Sequence, residues 1–169
     1  MLKVVVTGPE SSGKTTLCKK LSKYFKTPYV EEYARFYLTK LVKKYNQNDV
    51  LKIAKGQLKN EKEIINNGRI SIYDTDLITI KIWSNYKYGN CDKWILDRIK
   101  KQQLENRLYL LCKPDIAWEP DPLRENRSNR DILFRAYIDE LTKDELRYMI
   151  IEGENRLNTG IKEIESYIL

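Results

Sequence analysis

The sequence of 169 residues carries a formal net charge of +7, and 33% of its residues are charged while 41% are hydrophobic. A chain of this length can bury a full hydrophobic core, so we expect one domain over residues 1–169. The sequence contains no histidine, which excludes histidine-based acid–base catalysis, histidine metal sites and serine–histidine triads. It has no apolar stretch of roughly 18 residues, so we expect no membrane span.

Three further features bear on location and partners. The first strand-like run begins at Leu2, which leaves no room for a signal peptide. Cys18, Cys91 and Cys112 form no CxxC pair, so we expect a cytoplasmic protein with three reduced, buried thiols. The positive charge is compatible with phosphate-handling residues and a solvated surface, so we do not expect a nucleic-acid partner. The oligomeric state is left open.

Short apolar runs alternate with amphipathic segments along the chain. The runs predict five strands, at LKVVVT (2–7), YVEE (29–32), ISIYDT (70–75), LYLLC (108–112) and YMIIE (148–152). Apolar residues at helical spacing predict helices at 14–26, 38–45, 50–65, 77–86, 92–105, 132–141 and 161–168. Strands that alternate with helices imply parallel crossovers. We therefore predict an α/β fold, a three-layer αβα sandwich around a five-stranded parallel sheet.

A glycine-containing segment, GPESSGKT at residues 8–15, connects the first strand to the first helix. It satisfies GxxxxGK[ST], the Walker A P-loop, in which several backbone N–H groups face one point and the helix adds its positive end. In this pattern Lys14 reaches the β- and γ-phosphates of a nucleotide, and the Thr15 hydroxyl completes the shell of Mg²⁺. We therefore predict a P-loop NTPase fold with ATP and Mg²⁺ as cofactors. The predicted nucleotide contacts are Gly8, Glu10, Ser11, Ser12, Gly13, Lys14, Thr15 and Thr16.

The sequence lacks the features of two other P-loop classes. There is no Asn-Lys-x-Asp guanine signature of the GTPases. The strand that would end in Asp-Glu in a mechanical ATPase ends instead in Asp74-Thr75-Asp76, so no group dedicated to activating water is visible. This pattern favours transfer of phosphate to a bound acceptor, which is the chemistry of a small-molecule kinase.

Acidic residues stand at the ends of the second and third predicted strands. Ligands of open α/β sheets bind at the carboxyl ends of the strands, so both pairs should flank the P-loop. Of Glu31 and Glu32 only one can face the acceptor, because adjacent strand residues point opposite ways, and that one could orient a hydroxyl and take its proton. Asp74 could hold Mg²⁺ through water, and Asp76 could bind sugar hydroxyls.

A charged segment, WEPDPLRENRSNR at 118–130, is predicted to be a short lid. Arg124, Arg127 and Arg130 recur every three residues in it, and arginines that close over a γ-phosphoryl group lower the barrier to its transfer. Trp118 at the start of the lid is either core packing or a stacking surface for an aromatic ring. Trp83 is expected to be a packing residue.

The pattern as a whole resembles the ribosylnicotinamide kinase domain of bacterial NadR-type proteins, a branch of the P-loop kinases near the nucleoside and nucleotide kinases. The stretches that carry the resemblance are GPESSGKTTL (8–17), EYAR (32–35), IAKGQ (53–57), DTDLIT (74–79), AWEPDPLR (117–124) and YMIIEG (148–153). The resemblance implies ATP-dependent phosphorylation of the ribose 5′-hydroxyl of nicotinamide riboside, which gives nicotinamide mononucleotide for NAD biosynthesis.

Carried over residue by residue, the resemblance also implies roles in the site. It makes Glu32 the strand-two carboxylate that acts on the acceptor, and it places Trp118 near the pyridinium ring and Arg156 near the adenine. The implied catalytic residues are Lys14, Glu32, Asp74, Arg124 and Arg127. The implied substrate contacts are Glu32, Tyr33, Arg35, Asp74, Asp76, Trp118 and Asp121. The implied metal ligands are Thr15 and Asp74.

Other readings of the sequence remain open. NadR-type proteins usually carry an adenylyltransferase domain before the kinase, and some carry a helix-turn-helix; this sequence begins at the P-loop strand, so we expect neither activity from it. The acceptor could be another nucleoside or a nucleotide, although acidic strand ends disfavour an acceptor that already bears a phosphate. A nucleotide-sensing ATPase or regulatory module is the alternative from another class.

Overall fold

The computed structural model describes residues 1–64 and 68–168 and is built on a five-stranded parallel sheet. The strands are β1 (Leu2–Thr7), β2 (Tyr29–Val30), β3 (Ile70–Asp74), β4 (Arg107–Cys112) and β5 (Tyr148–Ile151). Their order in the sheet is β2-β3-β1-β4-β5, so β1 is the central strand. β1 pairs in parallel with β3 and with β4, which brings the end of β3 next to the loop that follows β1.

Helices cover both faces of the sheet. They are α1 (Lys14–Phe25), α2 (Tyr33–Thr39), α3 (Gln47–Glu63), α4 (Leu77–Tyr88), α5 (Lys93–Gln102), α6 (Arg130–Lys143) and α7 (Arg156–Ile168). Val4 and Val6 pack on the face covered by α1 and α7, whereas Val5 packs on the face covered by α3 to α6. Because both faces of β1 are buried, the strand is apolar without alternation. The predicted three-layer fold is confirmed.

The helix predicted over residues 38–45 is wrong. α2 covers Tyr33–Thr39, and the chain from residue 40 to residue 46 is not helical. Val42, expected on a buried face, is fully exposed. The next helix begins at Gln47 because the Asn46 side chain accepts hydrogen bonds from the backbone N–H groups of Asn48 and Asp49. Ile65, expected near the end of that helix, lies outside the described residues.

The predicted lid, residues 118–130, runs from the sheet edge to the start of α6. It contains one 3₁₀ turn, Arg127–Asn129, and is otherwise irregular. In the part of the chain that the structure describes, no helix has the length and apolar character needed to cross a membrane.

Candidate active site

The P-loop turns tightly between β1 and α1. Gly8 has φ 135° and Gly13 has φ 82°, values in the region that favours glycine. A Cβ atom on Gly8 would lie 2.5 Å from the carbonyl oxygen of Cys112 on β4, so a side chain is excluded there. Lys14 is the first residue of α1, and the free N–H groups at this helix end face the loop. This arrangement suits an anion such as a phosphate.

Two side chains at the C-terminal end of the P-loop reach back to its beginning. The Lys14 Nζ donates to the carbonyl oxygen of Pro9 at 2.8 Å, and the Ser12 Oγ donates to the same oxygen at 2.7 Å. The Lys14 ammonium therefore already lies over the loop, where it can reach a bound phosphate by exchanging one hydrogen bond. The nucleotide contacts predicted within the P-loop and the start of α1, residues 8, 10–13 and 14–16, all line one cavity.

Asp74 lies at the end of β3, directly beside the P-loop helix. Its Oδ2 accepts a hydrogen bond of 2.6 Å from the Thr15 hydroxyl, while its Oδ1 is buried and has no hydrogen-bond partner. Burial raises the pKa of Asp74, although the Lys14 charge and the Thr15 hydrogen bond act in the opposite direction. A buried carboxylate oxygen without a partner, next to a hydroxyl, is a donor set that fits Mg²⁺.

A metal at this position would need ligands from elsewhere as well. Within residues 1–64 and 68–168 no group of three or more Cys, Asp or Glu side chains could hold a metal ion. Mg²⁺ in nucleotide sites is usually held by one or two protein oxygens, with phosphate oxygens and water completing the octahedron. Thr15 and Asp74 would correspond to such a partial set, and their role as metal ligands stays a prediction.

The structure separates the two acids that follow β2. Glu31 is exposed and accepts a hydrogen bond from the Tyr29 hydroxyl at 3.3 Å, whereas Glu32 is half-buried and lines the same cavity as the P-loop. Burial raises the pKa of Glu32, although the charge of Lys14 acts in the opposite direction. Glu32 is thus a carboxylate that faces the cavity and holds a proton more readily than an exposed glutamate does.

The cavity has a volume of about 240 Å³ and extends away from the P-loop between α2, α4 and α6. Its outer half is mainly apolar and aromatic. The side chains that form this half, which we call the acceptor wall, are Leu38, Tyr45, Thr79, Ile82, Trp83, Tyr86, Leu133 and Tyr137. The rings of Tyr45 and Trp83 meet edge-on with centroids 5.1 Å apart. Such a wall suits a planar ring, whether neutral or cationic.

Trp118 does not line this cavity. It packs instead beneath two arginines of the lid region, since the guanidinium groups of Arg124 and Arg130 lie 5.9 Å and 5.7 Å from its ring centroid. Trp83, which the sequence assigned to packing, lies on the acceptor wall. The prediction of a stacking role for Trp118 is therefore corrected, and Trp83 is the tryptophan at the cavity.

Asp76 also lies elsewhere than predicted. Its side chain is wholly buried, its Oδ2 accepts from Arg107 at 3.1 Å and from Tyr109 at 2.9 Å, and its Oδ1 accepts from the backbone N–H of Ile78, which caps α4. Thr75 has φ 69°, so the chain leaves the strand there and Asp76 no longer shares the orientation of Asp74. Asp76 does not line the cavity, and its prediction as a substrate contact is corrected.

Tyr33 is a packing residue rather than a substrate contact. Its ring occupies the space left by Gly56 on α3, where any Cβ atom would overlap the ring. Its backbone N–H donates to the Oε1 of Gln57 at 2.8 Å, and the Nε2 of the same buried amide donates to the carbonyl oxygen of Thr75 at 3.5 Å. Gln57 therefore links the start of α2, which carries Glu32, to the residue that follows Asp74.

Arg35 and Asp121 form a contact between α2 and the lid. The Nη1 of Arg35 donates to the Oδ2 of Asp121 at 2.9 Å. Arg35 lines the cavity, whereas Asp121 does not. The prediction that Asp121 touches the acceptor is thus corrected: Asp121 lies outside the cavity and pairs with Arg35, which lines it.

Of the two lid arginines with a predicted catalytic role, the structure brings one to the cavity. Arg124 lines it and donates to the carbonyl oxygen of Glu119. Arg127 is exposed within the 3₁₀ turn and does not line the cavity, so its predicted catalytic role is corrected. Arg130 donates to the carbonyl oxygens of Ser11 and Ile116, both at 3.1 Å, and so joins α6 to the P-loop.

Arg156, at the start of α7, supports the P-loop from outside the cavity. It donates to the carbonyl oxygens of Ser12 at 2.8 Å and Lys113 at 3.0 Å, and it pairs with Asp115. Its guanidinium also lies 3.6 Å from the position of a Cβ on Gly13. A contact between Arg156 and an adenine stays a prediction.

The chain was compared with known proteins and structures. The model of a family described as an AAA domain matches residues 3–156. This chain belongs to that AAA-domain family. Within it, the chain is similar to the trifunctional NAD biosynthesis/regulator protein NadR of Escherichia coli (strain K12), with 24% identity over 159 residues, 90% of this chain and 38% of the relative. The AAA domain described here thus spans well under half the length of that relative.

Solved structures resemble this AAA domain over nearly its whole length. A NadR protein in complex with NR matches with a TM-score of 0.78 and 22% identity, over 98% of this chain and 51% of that chain. A NadR protein in complex with NAD and AMP-PNP matches with a TM-score of 0.70 and 20% identity, over 98% and 49%. Thymidylate kinase from Candida albicans matches with a TM-score of 0.68 and 15% identity, over 98% and 91%. The fold of the AAA domain is therefore that of the P-loop kinases.

The acceptor wall is the part of the AAA domain's site that sequence analysis missed. Thr79, Ile82, Trp83 and Tyr86 on α4 stand at the i, i+3, i+4 and i+7 positions of one helical face. This spacing was visible in the sequence, but it normally indicates a face packed in the core. Tyr45 was assigned by its spacing to a helix over residues 38–45, but it lies in the irregular segment between α2 and α3.

Proposed function

We propose that this protein is a phosphotransferase that moves the γ-phosphate of ATP to the ribose 5′-hydroxyl of nicotinamide riboside, giving nicotinamide mononucleotide. The observation that carries the proposal is the single cavity that joins the P-loop to an aromatic acceptor wall, with Glu32 also lining it. A cationic pyridinium ring suits such a wall. The similarity to a NadR structure in complex with NR supports this choice of acceptor.

The nucleotide half would bind by charge and by backbone groups. The N–H groups of the P-loop and the start of α1 hold the phosphates, and Lys14 exchanges its bond to Pro9 for a phosphate oxygen. Thr15 and Asp74 would hold Mg²⁺, which neutralises charge on the β- and γ-phosphates. The similarity to a NadR structure that holds AMP-PNP supports ATP as the donor.

The acceptor half would bind by shape and by one carboxylate. The ring of the acceptor packs against Trp83 and Tyr45, and Glu32 orients the 5′-hydroxyl and receives its proton. A carboxylate with a raised pKa is a better proton acceptor than an ordinary one when the proton must move at neutral pH. Arg124 from the lid faces the transferred group, so most of the catalysis is positioning and charge neutralisation.

The proposal includes a cytoplasmic location, where ATP is available, and a small-molecule nucleoside as partner. A nucleotide acceptor is disfavoured, because the cations that line the cavity already have partners. Lys14 crosses the P-loop, Arg35 is paired with Asp121, and Arg124 donates to the carbonyl oxygen of Glu119. A phosphate on the acceptor would need a free basic group at the wall, and the wall residues are uncharged.

An assay that couples ADP formation to acceptor turnover tests the proposal. Purified protein is given ATP and Mg²⁺ with nicotinamide riboside, other nucleosides, nucleotides or nucleic acid as the sole addition. We expect nicotinamide riboside to give the fastest ADP release, with nicotinamide mononucleotide as the product. Lys14→Ala should lower turnover by at least about 100-fold, whereas Lys20→Ala on the exposed side of α1 should not.

Other outcomes of the same assay would replace the proposal. Equal ATP consumption with and without any acceptor would indicate an ATPase. ADP release stimulated by nucleic acid, with a steep dependence on salt, would indicate a nucleic-acid-linked regulatory module. Faster turnover of another nucleoside or a nucleotide would keep the kinase and change its acceptor.

A further inference from the structure

Glu125 of the lid contacts both halves of the cavity. Its backbone N–H donates to the Oε2 of Glu10 at 3.0 Å, and the N–H of Asn126 donates to the same oxygen at 2.8 Å. Glu10 belongs to the P-loop, so these two bonds hold the lid backbone against the nucleotide half. Ser11 adds a third bond, because its Oγ accepts from the N–H of Glu119 at 2.9 Å.

The side chain of Glu125 extends to the acceptor wall. Its Oε2 accepts from the Tyr45 hydroxyl at 2.8 Å and from the Lys87 Nζ at 2.9 Å. The Tyr45 hydroxyl in turn accepts from the indole N–H of Trp83 at 3.1 Å. One residue of the lid is therefore bonded through its backbone to the P-loop and through its carboxylate to Tyr45, whose hydroxyl in turn bonds Trp83.

These groups keep their charge states through neutral pH. Burial raises the pKa of Tyr45 to about 12, so its hydroxyl remains a donor. Burial alone would raise the pKa of Glu125, but the hydrogen bonds from Lys87 and Tyr45 outweigh it and lower the pKa. The pair of Lys87 and Glu125 is partly exposed, with side-chain exposures of 33% and 48%. Such a pair adds little to the stability of the fold, so its removal should leave the protein folded.

We propose that Glu125 is a positioning residue that couples closure of the lid to occupation of the acceptor wall. The proposal rests on the proposed function. An acceptor ring held against Trp83 and Tyr45 fixes the Tyr45 hydroxyl, and that hydroxyl fixes the Glu125 carboxylate. The preceding residue, Arg124, is thereby held at the cavity. A lid fixed in this way keeps water from the γ-phosphate while the acceptor is bound.

The experiment uses two variants that break the link between the lid and the acceptor wall, which we call the lid-link variants. Each is compared with a matched surface variant. Glu125→Gln removes the charge that Lys87 and Tyr45 bind, and Tyr45→Phe removes the hydroxyl. Glu63→Gln is the control for the first, because Glu63 pairs with Lys59 on the exposed side of α3. Tyr24→Phe is the control for the second, because the Tyr24 hydroxyl donates to Glu165 on the surface at 3.1 Å.

Three quantities are measured for each variant with ATP and nicotinamide riboside: kcat, the KM of each substrate, and the ratio of ADP released to nicotinamide mononucleotide formed. We expect both lid-link variants to lower kcat by about tenfold and to raise the ratio above one, because the lid closes less firmly over the phosphate. The KM for ATP should change by less than about twofold, since the P-loop is intact. The double variant should be no worse than either single one, because the two groups act as one link.

The results separate this inference from the proposed function. Wild-type protein that phosphorylates none of the nucleosides overturns the proposed function and the coupling with it. Wild-type protein that phosphorylates nicotinamide riboside, together with a Glu125→Gln variant of unchanged kcat and unchanged ratio, overturns the coupling alone. A fall in kcat with the ratio still at one would also overturn it, since the lid would then have a purely structural role.

Discussion

Two acidic regions lie near the end of β3, one beside the P-loop and one around Arg107. In the first region the buried side chain of Asp74 accepts a hydrogen bond from a neutral hydroxyl, that of Thr15. In the second region, which we call the Arg107 cluster, the guanidinium of Arg107 contacts Asp76 at 3.1 Å, Glu61 at 2.9 Å and Glu105 at 2.8 Å. Within the described residues Asp74 thus forms no ion pair, whereas the acids of the cluster share one guanidinium.

The comparison shows that residue type and strand position alone do not define a site. Asp74 and Asp76 are separated by one residue, and both are buried. What differs is the partner, because a buried carboxylate that faces a fixed cation contributes to folding, whereas one that lacks a cation can bind one. Three predictions test this difference.

The largest effect is expected when Arg107, the cation of the Arg107 cluster, is removed. Arg107→Met leaves the carboxylates of Asp76 and Glu61 buried without a cation, which should lower the free energy of unfolding by about 3–5 kcal/mol. Urea unfolding followed by circular dichroism measures it. Arg135→Met, at an exposed position of α6, should change stability by less than about 0.5 kcal/mol. Equal stability of the two variants would mean that the cluster contributes nothing to folding.

A second prediction exchanges the charge of each aspartate for an amide. Asp74→Asn should lower kcat by about 100-fold, because the amide is a poor ligand for Mg²⁺, while stability changes by less than about 1 kcal/mol. Asp76→Asn should instead lower the free energy of unfolding, because Arg107 loses a carboxylate, and should change kcat little. The test is to measure turnover and the midpoint of urea unfolding for both variants. Full activity of Asp74→Asn would remove Asp74 from the metal site.

The smallest effect concerns pH. Burial raises the pKa of Glu61 from 4.5 to about 7, although the Arg107 charge acts in the opposite direction. The folded protein then binds a proton more tightly than the unfolded chain does, so this contribution to stability is full below pH 4.5 and is lost as the pH rises through about 7. Between about pH 5 and about pH 8, the Glu61→Gln variant should lose less free energy of unfolding than the wild type does, by about 2 kcal/mol.

The control for the pH prediction lies on the same helix. Glu63→Gln changes an exposed carboxylate of α3, and its stability should follow the wild-type dependence on pH. If Glu61→Gln also kept the wild-type dependence, folding would not raise the pKa of Glu61.

Sequence reasoning worked where the chemistry is contiguous in the chain. The P-loop lies within eight successive residues, so its glycines, its lysine and its helix could be read together from GPESSGKT. The parallel sheet could be predicted for the same reason, since its three central strands, β1, β3 and β4, are buried on both faces and show this in their own composition. Asp74 was placed correctly beside the P-loop, because β1 and β3 are neighbours in such a sheet.

Sequence reasoning failed where the partner is distant. Asp76 looked like a second strand-end acid, but Arg107 lies 31 residues further along and Tyr109 lies 33 residues further along. No local sequence pattern indicates the contact of Glu125 with Tyr45, which is 80 residues away. Trp118 and Trp83 were exchanged in role because the aromatic half of the cavity is assembled from α4, α6 and an irregular segment, which no local pattern connects.

The buried amide of Gln57 determines a distance that matters for the chemistry. It bonds the first residue of α2 and the residue after Asp74, while Gly56 beside it admits the Tyr33 ring. The separation between Glu32 and Asp74 is therefore fixed by α3 and the sheet, and not by the lid. We expect Glu32 and Asp74, the proposed proton acceptor and the proposed metal ligand, to keep a constant separation if the lid moves. A variant at Gln57 should therefore misalign these two carboxylates without contacting either one.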